Sequence, residues 1–497
     1  MTTTRADEVT PGSSARHTYQ RLWQIVHPIR RKLFFGALCA MGSSLMALGI
    51  PQVIQYLVNT SLGPHPAVRW VLVAALAVLL LGVGEAWLTY VRRIFALYPS
   101  VGVETDMRVG LFRKLLQLPV SFHDEWGSGQ LLSRSMTDLS QVRRLIAFGS
   151  IMLVSNVFTI IVGLILMARA NPLLALVFLV ISVPLAVSAF RFNQRYTTLS
   201  RRSQDQSGDL ATMIEQSVEG IRVIKAFGRG REMLADFTDQ ARDLLGTEVS
   251  KAVAEARFAM ASILLPELAL GLALVIGIWE CAHGTMTIGQ LSAYFATVTL
   301  VTGPVRQTGN ILGNFVNTRT ALDRHFEVMD APVTIADPAD PVTIEPGTAA
   351  GALRLRDVHF RYDDAPPHSP DVLSGVDLEL HPGETVALVG VTGSGKSTLL
   401  QLVPRLYDVT GGAVEIDGID VRRMRGVDLH TLTSIGFEDA TLFSQSVRDN
   451  VLLGAPPDAD QDELLRVALH TADADFVYDL PDGLDTIIGE QGLSLSG

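Results

Sequence analysis

The run Gly390-Val391-Thr392-Gly393-Ser394-Gly395-Lys396-Ser397-Thr398 constrains this chain more than any other stretch. It is a complete G-x-x-x-x-G-K-[ST] loop, a pattern that works only between a strand and a helix. Residues 385–389 are apolar and rich in β-branched side chains, which predicts a buried strand; residues 399–403 predict a helix. Glycines let successive backbone N–H groups converge on an anion-sized hollow, and the helix adds its positive end. Lys396 then reaches the β- and γ-phosphates as a point charge, Ser397 offers its hydroxyl to Mg2+, and Thr398 helps hold the phosphates. The expectation is a binding site for a nucleoside triphosphate.

Such a loop belongs to a water-facing domain, yet the rest of the chain is too apolar for water. Of 497 residues 48% are hydrophobic and 18% charged, so part of the chain belongs in lipid. Six apolar segments, 33–59, 68–95, 149–169, 172–192, 258–281 and 288–313, lie near the length of about 20 residues that crosses a bilayer's hydrocarbon core. Two connections, 96–148 and 193–257, are long and polar; the other three are short. Arg30-Arg31-Lys32 and the arginines of the long loops stand against only Arg69 and Arg169 near the short connections. The positive-inside rule then puts both termini, both long loops and the phosphate loop in the cytoplasm of a multi-pass plasma-membrane protein. Residues 1–20 lack an apolar core after a basic start, and read as a disordered cytoplasmic tail instead of a signal peptide.

The long loops read as helical. Leu210, Met213, Ile214, Val218 and Ile221 recur at threes and fours, so the membrane helices are expected to continue past the bilayer. Turns are expected at Gly127-Ser128-Gly129 and Gln206-Ser207-Gly208-Asp209. Pro51, Pro184, Pro266 and Pro304 fall inside spans, where packed neighbours tolerate a kink. Glu85 and Glu267 fall there too, and a carboxylate at that depth needs a polar cavity or a partner: either a cationic or polar substrate, or a hydrogen bond between helices. Cys39 and Cys281 have no metal spacing and read as packing residues. A membrane domain over 21–329 gives way to a proline-punctuated linker at 330–350. From 351 to 497, alternation in 353–360 and 373–378 opens a soluble α/β domain.

Six spans followed by a phosphate-loop domain resemble the ATP-binding cassette (ABC) exporters, specifically half-transporters that carry both parts in one chain. The resemblance implies a membrane all-α bundle of six long helices followed by a partial α/β P-loop domain. Phe122-His123-Asp124-Glu125 through Gly129-Gln130-Leu131-Leu132-Ser133-Arg134 and Asp138 is similar to that family's first cytoplasmic-loop pattern, and Glu219 through Gly228 to its second. By that resemblance 122–130 and 203–210 are the coupling helices. Tyr362 stands where the family stacks an aromatic ring on adenine, worth about 1–3 kcal/mol by analogy with base stacking. Gly489-Glu490-Gln491-Gly492 resembles the segment that meets the partner's coupling loop, and Leu495, Ser496 and Gly497 the start of the signature that closes on the partner's γ-phosphate.

Two departures stand out. Glu438 occupies the place of a glutamine that contacts Mg2+ and the attacking water, so Ser397 and Glu438 form the implied metal set. The second concerns the far end. The resemblance puts the acidic strand end, the catalytic glutamate and the switch histidine beyond Gly497, so no catalytic residue is expected within the sequence. Binding without turnover by this chain alone follows, because phosphoryl transfer needs positioned metal and water. Residues 385–389 would also face an unpaired sheet edge.

The resulting expectation is an ATP-driven exporter half that pairs with an identical or related half, uses ATP and Mg2+, and moves a small molecule or lipid through a lipid bilayer. No basic nucleic-acid surface appears. The alternatives are a non-catalytic ATP-binding membrane partner or truncated inactive subunit, and an importer of the same architecture.

Overall fold

In lipid every backbone group must find its partner within the segment, so an apolar run stays helical until a polar break releases it. The computed structural model, which describes residues 15–61, 68–342, 348–366, 368–438, 441–456 and 459–489, follows this rule. The chain forms two units: Met1–Leu118 with Phe122–Val333, and Pro119–Ser121 with Thr334–Gly497.

The first unit is helical. It contains α1 (Ala15–Val26), α2 (Arg30–Ser61), α3 (Val68–Gln117), α4 (Val120–Glu125), α5 (Ser128–Ser133), α6 (Leu139–Arg144), α7 (Ser150–Ala170), α8 (Pro172–Glu219), α9 (Ile221–Ala226), α10 (Gly230–Ala282) and α11 (Ile288–Asp330). Two wide π turns, Arg134–Asp138 and Leu145–Gly149, join α5, α6 and α7 into one rod. Six long helices are therefore present among the described residues, and α3, α8 and α10 run far past the length of a span. Pro51, Pro184, Pro266 and Pro304 lie inside continuous helices, as does Pro99, which apolar periodicity does not single out.

The short reversals are built by caps. Asn171 Oδ1 accepts from Leu173 N at 2.9 Å and Leu174 N at 3.2 Å to start α8. Thr287 and Gln290 form a reciprocal capping box that starts α11. Helix α11 packs on α2, α7 and α8, around a core that includes Leu174, Phe178, Ala273, Val298 and Val301. Tyr294 is buried in that core with its hydroxyl donating to Leu174 O at 3.0 Å, which satisfies the one polar atom it brings.

By length and composition alone, five of the long helices among the described residues qualify to cross a membrane. The exception is α11, whose apolar residues are diluted by Gln290, Ser292, Thr297, Thr299 and Thr302; a helix enclosed by neighbours does not need an apolar coat. Residues 15–20, expected in a disordered tail, belong to α1. Thr18 Oγ1 donates to Asp323 Oδ1 at 2.5 Å, Tyr19 Oη to Phe315 O at 3.0 Å, and Arg21 pairs with Asp330 at 2.5 Å. Leu22 and Val26 join a core with Leu111, Leu139, Val142, Leu322 and Phe326. Nor does the expected turn occur at 206–209, because α8 continues to Glu219. The chain breaks at Gly220 and again at Phe227–Arg229, so the short helix between the long ones is α9 and not 203–210. The first expected coupling segment, 122–130, resolves into the end of α4 and the start of α5. A further change concerns the strand before the phosphate loop, described below.

Ion pairs hold the rod of α5 to α7 in place. Arg324 of α11 meets Asp138 through Nε at 2.9 Å and Nη2 at 2.6 Å. Arg134 donates to Glu327 at 2.8 Å and to Arg324 O at 2.7 Å, with its guanidinium 4.0 Å from the Trp126 ring centre. Buried Glu104 of α3 takes Arg108 at 2.8 Å, Arg143 at 2.6 Å and Ser140 at 3.0 Å. Arg134 and Asp138 both lie in the first π turn, whose extra width changes which residues face α11.

His325 lies between these pairs and α1. It is 3% exposed, and its Nδ1 has no hydrogen-bond partner among the described residues. Burial, helped by nearby Arg21 and opposed by Asp330, lowers its pKa from 6.5 to about 4. The folded protein therefore binds this proton more weakly than the unfolded chain does, and the neutral ring's full contribution is present above pH 6.5. Stability falls as pH drops from there through 4, by about 1 kcal/mol at pH 5.5 and about 3 kcal/mol below pH 4. The unfolding midpoint of wild type should thus decline on acidification more steeply than that of His325→Gln. Parallel declines would refute it.

The second unit begins with residues that the sequence assigns to a linker. Val342 N donates to Arg423 O at 2.9 Å and Gly426 N to Asp337 Oδ1 at 2.8 Å, so 337–342 is tied to the domain. Its main sheet is antiparallel in the order β2-β1-β3-β4, built from β1 (Leu353–Phe360), β2 (Leu373–Leu380), β3 (Gly411–Ile416) and β4 (Ile419–Asp420). Leu355, Val358, Phe360, Leu373, Val414 and Ile416 face a core completed by helix α12 (Lys396–Leu402) through Leu399 and Leu402. Farther on come α13 (Gly426–Leu432), β5 (Gln445–Ser446), α14 (Val447–Val451), α15 (Gln461–Thr471) and β6 (Ile487–Ile488), with β5 paired to β6.

Residues 385–389, expected as a buried strand, carry no ladder among the described residues, and Val389 is 90% exposed. A strand exists only through its neighbours' hydrogen bonds. An apolar β-branched run with no adjacent strand stays irregular, however strong its propensity.

Candidate functional site

The loop between residue 390 and α12 has the conformation its glycines imply. Gly393 and Gly395 take φ of +84° and +85°, the left-handed region where a side chain is strained. Gly395 is also crowded: a Cβ there would sit 2.8 Å from Leu373 Cδ2 and 3.2 Å from Val372 O, so the loop is pressed onto the start of β2. Gly395→Ala should cost about 1–2 kcal/mol from backbone conformation alone and displace the loop. A lowered unfolding midpoint together with weakened nucleotide binding is the expected result, and unchanged values for both would refute it.

Lys396 opens α12, and its side chain folds back over the loop. Nζ donates to Gly390 O at 2.9 Å and Val391 O at 2.9 Å, with Ser394 Oγ at 3.4 Å. The ammonium therefore sits above the hollow that the loop encloses. Ser397 is exposed beside it. Thr398 is 7% exposed, and its hydroxyl shares a 2.9 Å hydrogen bond with Tyr362 Oη, which joins the loop helix to the sheet.

Tyr362 follows β1 and lies against α12. Its ring meets Phe360 edge-on at 4.9 Å and Tyr407 at 5.5 Å, while Phe360 and Tyr407 meet at 5.7 Å. Tyr407 is the member that sequence reading does not find, because no periodicity links it to residues 360–362. The aromatic ring expected near the adenine is thus held beside the phosphate loop by a hydrogen bond and two ring contacts.

Glu438 is exposed in a segment without regular structure. The residues that fix its place in the pattern do come together. Asn450 of α14 accepts from Phe443 N at 2.8 Å and donates to Phe443 O at 3.0 Å. The β5–β6 pairing brings Gly489 against this turn, where a Cβ would lie 2.9 Å from Phe443 O. Leu495, Ser496 and Gly497 lie outside the described residues, as do Glu490, Gln491 and Gly492.

Neither membrane carboxylate is paired between helices. Glu85 is half-buried and Glu267 exposed, and neither has a hydrogen-bond partner among the described residues. Trp87 and Tyr90, near Glu85 on α3, pair with each other at 6.0 Å.

A cradle that would not admit a Cβ, an ammonium poised over it, an exposed hydroxyl beside that, and an aromatic ring nearby fit a nucleoside triphosphate with its magnesium ion. Comparison with known families agrees. Residues 33–305 match the model of the ABC transporter transmembrane region, and residues 373–497 match that of the ABC transporter domain. A multidrug efflux ATP-binding/permease protein of Mycobacterium bovis is 32% identical over 472 residues, which cover 94% of this chain and 38% of that protein. An ATP-dependent lipid A-core flippase of Thiobacillus denitrificans is 30% identical over 491 residues, covering 97% of this chain and 82% of the flippase. The flippase of Methylococcus capsulatus is 30% identical over 509 residues, 99% of this chain and 80% of its own length. The chain thus spans well under half of the mycobacterial relative and about four-fifths of the flippases.

Proposed function

Because the chain belongs to the ABC transporter family, we propose that it is one half of an ATP-driven exporter, in which ATP binding and hydrolysis drive alternating access of the helical unit. The observation that carries this reading is the phosphate loop, with Lys396 over its carbonyls and two left-handed glycines, in the same chain as a bundle of membrane-length helices.

Lys396 exchanges its carbonyl contacts for β- and γ-phosphate oxygens, and the loop's N–H groups take the rest of the phosphate charge. Ser397 and Glu438 are the residues that hold Mg2+, which when bound neutralises part of that charge. Glu438 supplies a full negative charge where a neutral amide would be gentler to the γ-phosphate, so it strengthens cation binding and raises the cost of bringing phosphate close. Tyr362 offers its ring to adenine, and residues 495–497 complete the site of a second half, identical or related. Helices α3, α8 and α10 act as levers, since α10 with its 53 residues extends about 80 Å and joins the bilayer to the space beyond it. Both termini face the cytoplasm and the bilayer is the plasma membrane. The relatives' names, lipid A-core flippase and multidrug efflux protein, favour a lipid or an amphipathic small molecule as cargo.

Purified chain in lipid nanodiscs should bind ATP saturably. Mg2+ should strengthen binding and Ser397→Ala should remove that strengthening. Absence of saturable ATP binding by the folded chain would overturn the reading. Accumulation of lipid or amphiphile in inverted vesicles that does not depend on ATP would overturn the exporter assignment.

A further inference from the structure

Where α8 and α10 emerge from their apolar segments they flank an open cavity of about 370 Å³. Arg191 and Arg195 of α8 and Arg257 of α10 line it together with Ser188. Phe192 and Phe258 also line it, their rings stacked at 4.4 Å with planes 5° apart. The residues that line it include no carboxylate, and none of the three guanidiniums has an ion-pair or hydrogen-bond partner among the described residues.

That is unlike the arginines at the α5–α7 rod. Arg134, Arg143 and Arg324 all meet an acid within 2.8 Å. The nearby carboxylate Glu248 is taken by Lys251 at 2.6 Å and by Ser203. Three exposed guanidiniums around one cavity with no carboxylate in its lining offer a ready set of donors to an anion. Guanidinium forks match phosphate oxygens in pairs. The depth narrows the choice: the three arginines sit at the ends of the apolar segments 172–192 and 258–281, where lipid headgroups lie, beside the rings of Phe192 and Phe258.

We propose that this cavity binds the phosphate headgroup of an anionic phospholipid in the leaflet at this end of the helices. Basic pockets between membrane helices are fitted to such headgroups. The site requires only that α8 and α10 span a bilayer, so it stands apart from nucleotide binding and from transport direction.

The test measures how much spin-labelled phosphatidylglycerol, relative to spin-labelled phosphatidylcholine, is immobilised by the full chain in phosphatidylcholine nanodiscs. Wild type should prefer phosphatidylglycerol by at least about fivefold, the contribution of a single arginine near the surface. The triple variant Arg191→Gln, Arg195→Gln, Arg257→Gln should lose that preference, the matching triple lysine variant should keep most of it, and Arg231→Gln should leave it unchanged. Equal immobilisation of the two lipids by wild type overturns the proposal without any variant. A preference that survives in the triple glutamine variant overturns it as well. Displacement of the labelled lipid by inorganic phosphate at matching concentration would show a free-anion site and overturn the lipid assignment.

Discussion

Lys396→Ala should weaken ATP binding on the order of 100-fold while leaving the fold intact, since charge-assisted hydrogen bonds are each worth about 1.5–3 kcal/mol. The two halves of that expectation have separate physical origins. In the structure, Nζ bonds Gly390 O and Val391 O at 2.9 Å each, at an exposed site. Water replaces those contacts once the side chain is gone, so the unfolding midpoint should move by the equivalent of under about 0.5 kcal/mol. Phosphate oxygens have no such substitute inside the loop's hollow, and the ammonium is the only full charge the loop supplies. Calorimetric titration of ATP into the variant in nanodiscs, with a thermal unfolding trace of the same sample, separates the two. A loss of affinity below threefold would mean that Lys396 does not meet the phosphates. A large loss of stability would mean that the loop depends on the lysine for its shape.

Arg324→Ala should be the most destabilising of the substitutions at the helix-bundle ion pairs, at about 3–5 kcal/mol. The side chain of Asp138 is 2% exposed and that of Arg324 45% exposed, although each is the other's bidentate partner. Removing the arginine strands a carboxylate away from water. Removing the aspartate in Asp138→Ala leaves a guanidinium that can turn to solvent, so the loss should be smaller. The double variant should recover part of the Arg324→Ala loss, because no uncompensated buried charge remains. Thermal or denaturant unfolding of all four proteins in one detergent checks the ordering. Equal losses in the single variants, or additive losses in the double, would show that the pair is held by packing and not by charge.

The elements that were legible from residues alone are those in which local chemistry decides. The long helices follow from apolar runs whose backbone groups must be satisfied within the segment. The short connections between 169 and 172 and between 281 and 288 were legible as gaps between apolar runs, and the structure closes them with caps at Asn171 and Thr287. The phosphate loop was readable because its glycines, lysine and hydroxyls are consecutive, and left-handed φ at 393 and 395 is a glycine property. Where the reading failed, a distant partner was responsible. Residues 15–20 look like a polar tail, yet Thr18 and Tyr19 find Asp323 and the carbonyl of Phe315 on α11. Gly208 looks like a turn, but a helix packed along α10 passes through it and breaks at Gly220.

What the sequence by itself determined is the division into a membrane helical unit and a phosphate-loop domain, together with the loop's own backbone shape, because hydropathy, caps and glycine torsions act within a few residues. Only the tertiary structure decided which charges are paired. Asp138 with Arg324, Glu104 with Arg143, and the three arginines left without an acid around the cavity between α8 and α10 depend on how helices far apart in the chain lie against one another. The same dependence explains residues 385–389, whose strand propensity is plain in the sequence but whose hydrogen bonds must come from another segment. A backbone torsion or a cap is a local energy; an ion pair or a strand is a relation between two places in the chain, and its existence is settled where the chain brings them together.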